Sequence, residues 1–499
     1  MKEPAPPSPV EPESAIRKTT LNAIALLIGA AATLLTPLVY LSSTNPLETW
    51  ATVLVAVIGW LAYSLVQKGY TTYMPHLMVY SVLTAASMAV MAFGVTDTIV
   101  AGRYSDSALA TLSVGSAIYI SVYVGLIGVI QALLPIWAQM RGAQQHHALG
   151  RSIRQSLYLS ALLSCAGMAV LLLPGRLLQW ADIPPDMQAE VRAYLAVLAL
   201  AFAPSLLFRQ FSTLNQALGK PVLVTWLQVG ALVVKIPLSI WFVAGGAGLA
   251  PQGAVGCAWA TLVVNYFLLL MAVLLLRSNP IYRPYRIWAP MEKPDWRQIA
   301  SFARLGLPAG MSYMVEVTSF TLMALFIARL GSVASASHQI AASLASVLYM
   351  VPLALGIASS ARTGYWLGAG QARKARHAAG LGIGLAIAAA LVGAGILFWG
   401  REAVAQAFSS DPSVVQAATA WLGWVALYHL ADAVQAVCAY LLRCYRITLM
   451  PLLIYTALLW GVGLYGGYVL AYQGIDWAAW PMRASVDTFW MTSTAALAL

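Results

Sequence analysis

The chain has 499 residues, of which 60% are hydrophobic and only 9% charged, and its mean hydropathy is +0.76. An ordinary soluble protein carries about 25% charged residues, so this chain has too little polar surface to be one. Disordered, collagen-like and disulfide-rich classes are excluded by the same apolar excess and by the low count of four cysteines. The remaining class is an all-α polytopic membrane protein. The net charge of +11 is interpreted as basic loops facing anionic lipid, and not as a nucleic-acid surface.

Two segments precede the main body of the chain. Residues 1–19 are rich in proline and are predicted to form a disordered cytoplasmic tail. Residues 20–70 contain two apolar stretches, and the first is too long for the apolar region of a signal peptide. We therefore predict an extra hairpin of two transmembrane helices over 20–70.

Twelve further apolar segments follow, and most reach the roughly 20 residues that a helix needs to cross a bilayer. The last is an exception, because its apolar part from Phe489 to Leu499 is too short. Either the chain is truncated there or the final helix is a half-span. The predicted spans 1 to 12 lie at about 77–101, 108–138, 153–174, 190–217, 222–244, 253–276, 305–329, 333–362, 378–399, 415–441, 448–471 and 485–499.

An internal repeat divides these spans into halves. Arg141-Gly-Ala-Gln-Gln after span 2 resembles Leu367-Gly-Ala-Gly-Gln after span 8, so that Gly142 pairs with Gly368 at an offset of 226 residues. Six spans separate equivalent points, so both halves have the same orientation in the membrane. The sequence thus predicts two pseudo-symmetric six-helix lobes over 75–276 and 305–499, joined by a basic linker over 277–304.

Basic residues set the predicted orientation. Most lie in the linker and in the other loops on its side of the membrane, including Arg443 after span 10. The positive-inside rule places these loops and the N-terminus in the cytoplasm. Arg209 and Arg362 lie near cytoplasmic helix ends and are interpreted as side chains that snorkel to the interface or cap carbonyls.

Three acidic residues fall inside predicted spans, where a carboxylate costs about 2.5–3.5 kcal/mol on insertion scales. Glu316 lies near the middle of span 7 and Asp432 near the middle of span 10. Together they can share a proton or hold Na⁺, so a cation site is predicted there. The alternative for each acid is a protonated carboxyl that is hydrogen-bonded between helices. Helical spacing places Tyr313, Phe320, Tyr428 and Gln435 on the faces of the two acids.

The third acid, Asp97, belongs to the first lobe, and its predicted partner is Lys235 deep within span 5. Lys235 could instead snorkel toward the membrane surface. The chain lacks phosphate-loop, HExxH and GxSxG signatures and has no extramembrane segment of nucleotide-binding length. No cofactor is therefore predicted, and active transport would draw on a Na⁺ or H⁺ gradient.

At these residues the chain resembles the multidrug and toxic compound extrusion (MATE) family, in its bacterial NorM-like branch. The matching stretches are Val95-Thr-Asp-Thr-Ile-Val-Ala-Gly, Pro135-Ile-Trp-Ala-Gln, Glu316-Val-Thr, Ser337-His-Gln-Ile-Ala, Ala361-Arg-Thr-Gly and Asp432-Ala-Val-Gln, within about 76–480. The resemblance implies a V-shaped pair of six-helix lobes that exports organic cations in exchange for Na⁺ or H⁺. It also implies coupling roles for Asp97, Glu316 and Asp432, with Tyr428 and Gln339 beside the second-lobe site.

Lys235 departs from the family pattern, which usually has an asparagine there. A fixed ammonium beside Asp97 could replace a coupling cation, so first-lobe coupling is open. We predict a monomeric antiporter of the plasma or bacterial inner membrane, whose substrate cavity includes Lys235 and the aromatic and amide residues of the second lobe. The alternatives are a flippase for a lipid-linked sugar, an intramembrane glycosyltransferase and a passive channel. A flippase should carry more cationic residues in its cavity than Lys235 alone, and a glycosyltransferase needs an extramembrane catalytic loop.

Overall fold

The computed structural model describes residues 91–175, 178, 184–246, 248, 250–473 and 487–499, which form helices joined by short loops. The predicted tail over 1–19, the hairpin over 20–70 and the beginning of span 1 lie outside the described residues. The helices are α1 (described over 91–104), α2 (Asp106–Gly142), α3 (His146–Leu172), α4 (Pro185–Ala217), α5 (Pro221–Ala244), α6 (Ala254–Ser278), α7 (Trp296–Ala328), α8 (Ser332–Gly368), α9 (Ala372–Phe408), α10 (Pro412–Cys444), α11 (Leu449–Tyr472) and α12 (Thr488–Ala498).

Helix boundaries follow local chemistry. The side chains of Ser105, Asp295 and Asp411 accept hydrogen bonds from the first free N–H groups of α2, α7 and α10. Proline occupies the first turn of α4, α5 and α10, where its missing N–H has no intrahelical partner to lose. These caps and prolines fix where each span begins.

The outer surfaces of the helices are apolar enough to contact lipid. In the described part of the chain, ten helices, α2 to α11, are long and apolar enough to cross a membrane. Large apolar side chains stand exposed on the outside, among them Trp399, Leu391 and Tyr465. In water such surfaces would aggregate, whereas in a bilayer they contact acyl chains. The chain is therefore an integral membrane protein.

Helix α11 is irregular at its centre. Residues Ala457–Gly466 form a π-helix between two α-helical segments. The short helix α12 packs on this segment and on α10, and the Thr492 hydroxyl donates a hydrogen bond of 2.8 Å to the carbonyl of Gly463. The short last helix is thus an integrated part of the second lobe.

The predicted repeat is confirmed by helix boundaries. Helices α2 and α8 each have 37 residues, and their first and last residues are related by the predicted offset of 226. Their ends meet symmetrically: a Cβ on Gly142 would lie 1.9 Å from the Tyr365 carbonyl oxygen, and one on Gly368 would lie 1.9 Å from that of Gln139. Because Tyr365 occupies the position in the second repeat that Gln139 occupies in the first, the two contacts are equivalent under the pseudo-symmetry of the lobes.

The lobes, α1–α6 and α7–α12, meet mainly where α2 packs against α7 and α8. Glycine permits the closest approach of α2 and α7. A Cβ on Gly128 would lie 2.6 Å from the Gly310 Cα, so the backbones touch without side chains between them. This backbone contact fixes how the two lobes are joined.

The linker between the lobes is shorter than the sequence predicts, because α6 continues to Ser278 and α7 begins at Trp296. It is bound to α3 through Glu292, which receives two hydrogen bonds from the Arg154 guanidinium. These bonds lower the pKa of the Glu292 carboxyl from 4.5 to about 2. The Tyr158 hydroxyl also donates to the Glu292 carbonyl at 2.9 Å. The linker is therefore held against the first lobe by these hydrogen bonds.

Candidate functional site

The first-lobe acid and base form a buried ion pair. The Lys235 Nζ on α5 lies 2.8 Å from the Asp97 Oδ2 on α1, and Lys235 is 2% exposed. The same ammonium donates to the Thr261 hydroxyl at 2.7 Å, and the Ser239 hydroxyl donates to the Asp97 Oδ1 at 3.2 Å. The predicted pairing is confirmed, and snorkelling of Lys235 is excluded because its charge points into the lobe.

This pair is neutral as a whole. A buried carboxylate needs a positive partner, and here the chain supplies one as a covalently fixed ammonium. The Phe93 ring, 5.6 Å from the Lys235 Nζ, covers the pair on one side. The coupling role of Asp97 and the substrate role of Lys235 stay predictions, but both residues are already satisfied by each other.

The second-lobe carboxyls lie in a different environment. Glu316 on α7 is half-buried and Asp432 on α10 is 3% exposed, and the two carboxyls interact electrostatically. Among the described residues, neither forms an ion pair with a lysine, arginine or histidine. Two acids in a low-dielectric site cannot both be ionised unless a cation joins them. Within the described ranges this cluster therefore has no basic side chain that plays the part of Lys235 in the first lobe.

Tyrosines surround the second-lobe acids. Tyr428, Tyr349 and Tyr455 are all electrostatic neighbours of both carboxyls. The Asp432 Oδ1 and the Tyr428 hydroxyl are buried and have no hydrogen-bond partner within the described ranges. An orphaned carboxylate oxygen and a nearby phenol are hard oxygen ligands, which suit a proton or a monovalent cation.

Aromatic rings pack behind this cluster. Phe320 and Trp490 make edge contacts with the Tyr428 ring at centroid distances of 6.0 and 5.7 Å. Trp490 also contacts His338, at 5.8 Å. Phe320, Tyr428 and Trp490, the last from α12, thus form one aromatic group, and Tyr428 is its member beside the acids. Whether these rings line a substrate cavity stays a prediction.

The remaining predicted cavity residues are more scattered. Gln435 is half-buried on α10, and Gln339 is exposed on α8 while its neighbour His338 is buried. Tyr313 forms a hydrogen bond of 2.5 Å with the Tyr440 hydroxyl. Tyr313 therefore belongs to a second polar group, one helical turn away from Glu316, and the substrate roles of these residues remain predictions.

Sequence reasoning missed several members of the site. Tyr349 and Tyr455 carry no signal, because a tyrosine in an apolar span is unremarkable until the helices are packed. Trp460, in the π-helical part of α11, donates a hydrogen bond of 3.2 Å to the carbonyl of Val315, next to Glu316. Wide π turns occur frequently at functional sites, and this one lies beside an acid.

One assignment is wrong. The sequence predicts Arg443 in a cytoplasmic loop, yet it occupies the last turn of α10 and is 5% exposed. Its guanidinium lies over the Tyr440 and Tyr313 rings at 4.3 and 5.2 Å. The helix extends further than its apolar run because the two rings cover the charge.

Comparisons with known proteins agree with this architecture. The sequence model of the MatE family matches residues 83–241 and 308–469. A probable multidrug resistance protein NorM of Aromatoleum aromaticum is 38% identical over 416 residues, which cover 83% of this chain and 89% of that protein. The multidrug resistance protein PmpM of Pseudomonas aeruginosa is 32% identical over 393 residues, covering 79% and 82% of the two chains.

Solved structures share the fold. The MATE transporter NorM-NG, solved in complex with a monobody, superimposes with a TM-score of 0.68 at 27% identity and covers 83% of this chain and 89% of its own. The eukaryotic MATE transporter AtDTX14 gives a TM-score of 0.74 at 20% identity, with 84% and 91% covered. These neighbours confirm the all-α fold with two lobes in a V. The chain therefore belongs to the MatE family, as an integral membrane transporter and not an enzyme.

Proposed function

We propose that this chain is a multidrug exporter that exchanges organic cations for Na⁺ or H⁺ at the second-lobe acids. The observation that carries the proposal is the pair of half-buried Glu316 and buried Asp432, which has no cationic partner in the described structure. The names of its multidrug resistance relatives support drugs as the substrates and favour export of small molecules over flipping of a lipid-linked sugar.

The coupling follows from competition for negative charge. With no cation bound, the Glu316 and Asp432 carboxyls repel each other, so the pair binds either a proton, a Na⁺ ion or a cationic substrate. Each occupant neutralises the charge that attracts the others. By thermodynamic linkage, if the bound coupling cation lowers the affinity for the substrate, the bound substrate lowers the affinity for the cation by the same factor. A gradient of the coupling ion can then drive release of the drug.

The molecule then has one coupling site. In the first lobe the Lys235 ammonium already neutralises Asp97 at 2.8 Å, so an external cation would have to displace a covalently fixed one. Coupling therefore takes place in the second lobe. The basic linker and the N-terminus face the cytoplasm of a bacterial inner membrane, and the chain acts as a monomer because one chain contains both lobes.

The test is dye efflux from proteoliposomes in which Na⁺ and pH gradients are imposed separately. Glu316→Gln and Asp432→Asn should abolish gradient-driven efflux, because a neutral amide needs no cation. Glu402→Gln is the matched control, since Glu402 is an exposed acid on α9 outside this cluster. Full efflux by correctly folded Glu316→Gln protein would contradict the proposal, and equal efflux without any gradient would indicate a passive channel.

A further inference from the structure

In the first lobe, the linker covers the beginning of α3. The Arg154 guanidinium binds the Glu292 carboxylate, and the Tyr158 hydroxyl donates to the Glu292 carbonyl at 2.9 Å. The contact is close, because a Cβ on Gly150 would lie 1.8 Å from the Tyr285 carbonyl oxygen. A segment of chain that carries an acid therefore occupies this surface of the first lobe.

The equivalent surface of the second lobe is open. The offset of 226 residues relates the first residue of α3 to the first residue of α9. At this offset Arg154 and Tyr158, whose side chains hold the linker, correspond to Gly380 and Gly384. Both glycines are exposed, and in the part of the chain that the structure describes no neighbouring atom would lie within 4 Å of a Cβ on either. The described residues thus contain no second-lobe counterpart of the linker contact.

The two glycines lie on the outer face of α9. Gly382, between them, faces α8, because its Cβ would lie 2.2 Å from the Ser359 hydroxyl oxygen. Residues two positions apart on a helix point in nearly opposite directions, so Gly380 and Gly384 face away from α8. The same face continues to Leu391, which is 57% exposed. The outer face of α9 is therefore apolar, with a notch at Gly380 and Gly384 where side chains are missing.

Basic side chains lie next to this notch. Arg373, Lys374 and Arg376 are exposed in the first two turns of α9, and Arg376 precedes Gly380 by about one turn. The Lys374 Nζ lies 4.6 Å from the centroid of the Trp366 ring at the end of α8. Within 91–473 and 487–499, no carboxylate of a described residue lies within 4.0 Å of these three cations. Three positive charges and an indole are thus grouped at one end of an apolar helix face.

From this arrangement we infer that the end of α8 and the beginning of α9 bind the phosphate head group of an anionic phospholipid, with an acyl chain in the notch. The head group supplies the negative charge that Glu292 supplies in the first lobe. Basic clusters at a membrane surface attract anionic lipid, and tryptophan is enriched at the level of the head groups. Arg376 and Gly384 are eight residues apart, about 12 Å along the helix, so the notch lies on the acyl side of the cations. This inference does not depend on the coupling proposed for the second-lobe acids.

Native mass spectrometry of the purified full chain in detergent tests the site, because it counts bound lipids. Phosphatidylglycerol and phosphatidylcholine with the same acyl chains are titrated separately, since the two lipids differ in the net charge of the head group. The wild-type chain should bind its first phosphatidylglycerol about tenfold more tightly or more. A basic residue near anionic lipid contributes about fivefold in affinity. Arg373→Gln/Lys374→Gln/Arg376→Gln should therefore abolish the preference and leave phosphatidylcholine binding unchanged.

The matched control removes three charges from the linker. Arg283, Lys293 and Arg297 are exposed, so their replacement by glutamine lowers the net charge equally and should preserve the preference. Gly380→Leu tests the notch with all charges intact. This variant should fold, because the space around Gly380 is open, and its side chain should weaken phosphatidylglycerol binding. Gly400→Leu, at an equally open position near the other end of α9, should not.

Five results would overturn the inference. Equal affinity of the wild-type chain for both lipids would mean that the surface does not select a negative charge. Equal loss in the linker variant would mean that only net charge matters, and unchanged binding by Gly380→Leu would exclude an acyl chain in the notch. Displacement of phosphatidylglycerol by inorganic phosphate would identify a site for a free anion. A dimer that disappears in the triple α9 variant would identify a second copy of the chain as the occupant.

Discussion

Removal of Lys235 should destabilise the protein through Asp97, and the effect should disappear when both charges are removed. The ammonium is buried, lies 2.8 Å from the Asp97 Oδ2 and also binds the Thr261 hydroxyl. Removal of one member of a buried pair costs about 3–5 kcal/mol, because the other charge is left without compensation. A stable domain has a free energy of unfolding of roughly 5–15 kcal/mol, so Lys235→Met alone should lose a large part of it.

The double variant distinguishes an ion-pair effect from a packing effect. In Asp97→Asn/Lys235→Met no charge remains, and replacement of both members of such a pair is often neutral or stabilising. Its thermal stability should therefore exceed that of either single variant, as a double-mutant cycle measures. Lys220→Met is the control, because Lys220 lies at the N-cap of the same helix and is exposed.

The same position tests the coupling. Lys235→Asn leaves Asp97 without its fixed ammonium, so the first lobe should acquire a need for a proton or Na⁺. The melting temperature of this variant should rise on addition of Na⁺ more than that of the wild type. Similar stabilities for all four members of the cycle, together with an unchanged Na⁺ and pH response, would refute the reasoning.

Three further outcomes follow from packing and charge. Gly368→Ala should lower the melting temperature and weaken the α2–α8 contact, because its Cβ would lie 1.9 Å from the Gln139 carbonyl, whereas Gly384→Ala, with no atom within 4 Å, should not. The bond from Arg154 lowers the pKa of Glu292 to about 2. That bond fully stabilises the linker at pH values above 4.5, the ordinary pKa of the carboxyl, and is lost as the pH falls toward about 2. Hydrogen exchange of the linker can follow this loss. Trp490→Ala should cost about 3–5 kcal/mol in a denaturant titration, since Trp490 is fully buried, and an unaltered midpoint would show that α12 contributes little.

Charge scarcity makes much of this molecule predictable. In a chain with 9% charged residues, an acid in an apolar span is informative because lipid penalises it. Asp97, Glu316 and Asp432 are therefore identifiable before any packing is known. Lys235 is identifiable for the same reason, and its depth within span 5 predicts that it pairs with Asp97. The repeat is visible because glycines recur where the helix backbones touch.

Aromatic and boundary residues are not predictable in this way. A tyrosine such as Tyr455 costs little in an apolar span, so its position beside Glu316 depends on the packing of α11 against α7. Arg443 is misplaced by sequence reasoning because a basic residue at the end of an apolar run is usually in a loop. Only the structure shows that Tyr440 and Tyr313 cover its charge.

The duplicated scaffold does not carry duplicated charge, and this asymmetry constrains the mechanism. At the offset of 226 residues, Asp97 and Lys235 correspond to Met323 and Gly461, and Asp432 corresponds to Leu206. Among the described residues, the first lobe thus contains an acid paired with a lysine, and the second contains two acids without a basic partner. Since both lobes have the same helical frame, any difference in ion dependence between them would come from these side chains. Because a gradient can act only where a counter-ion is exchangeable, the proposed function predicts that coupling takes place in the second lobe.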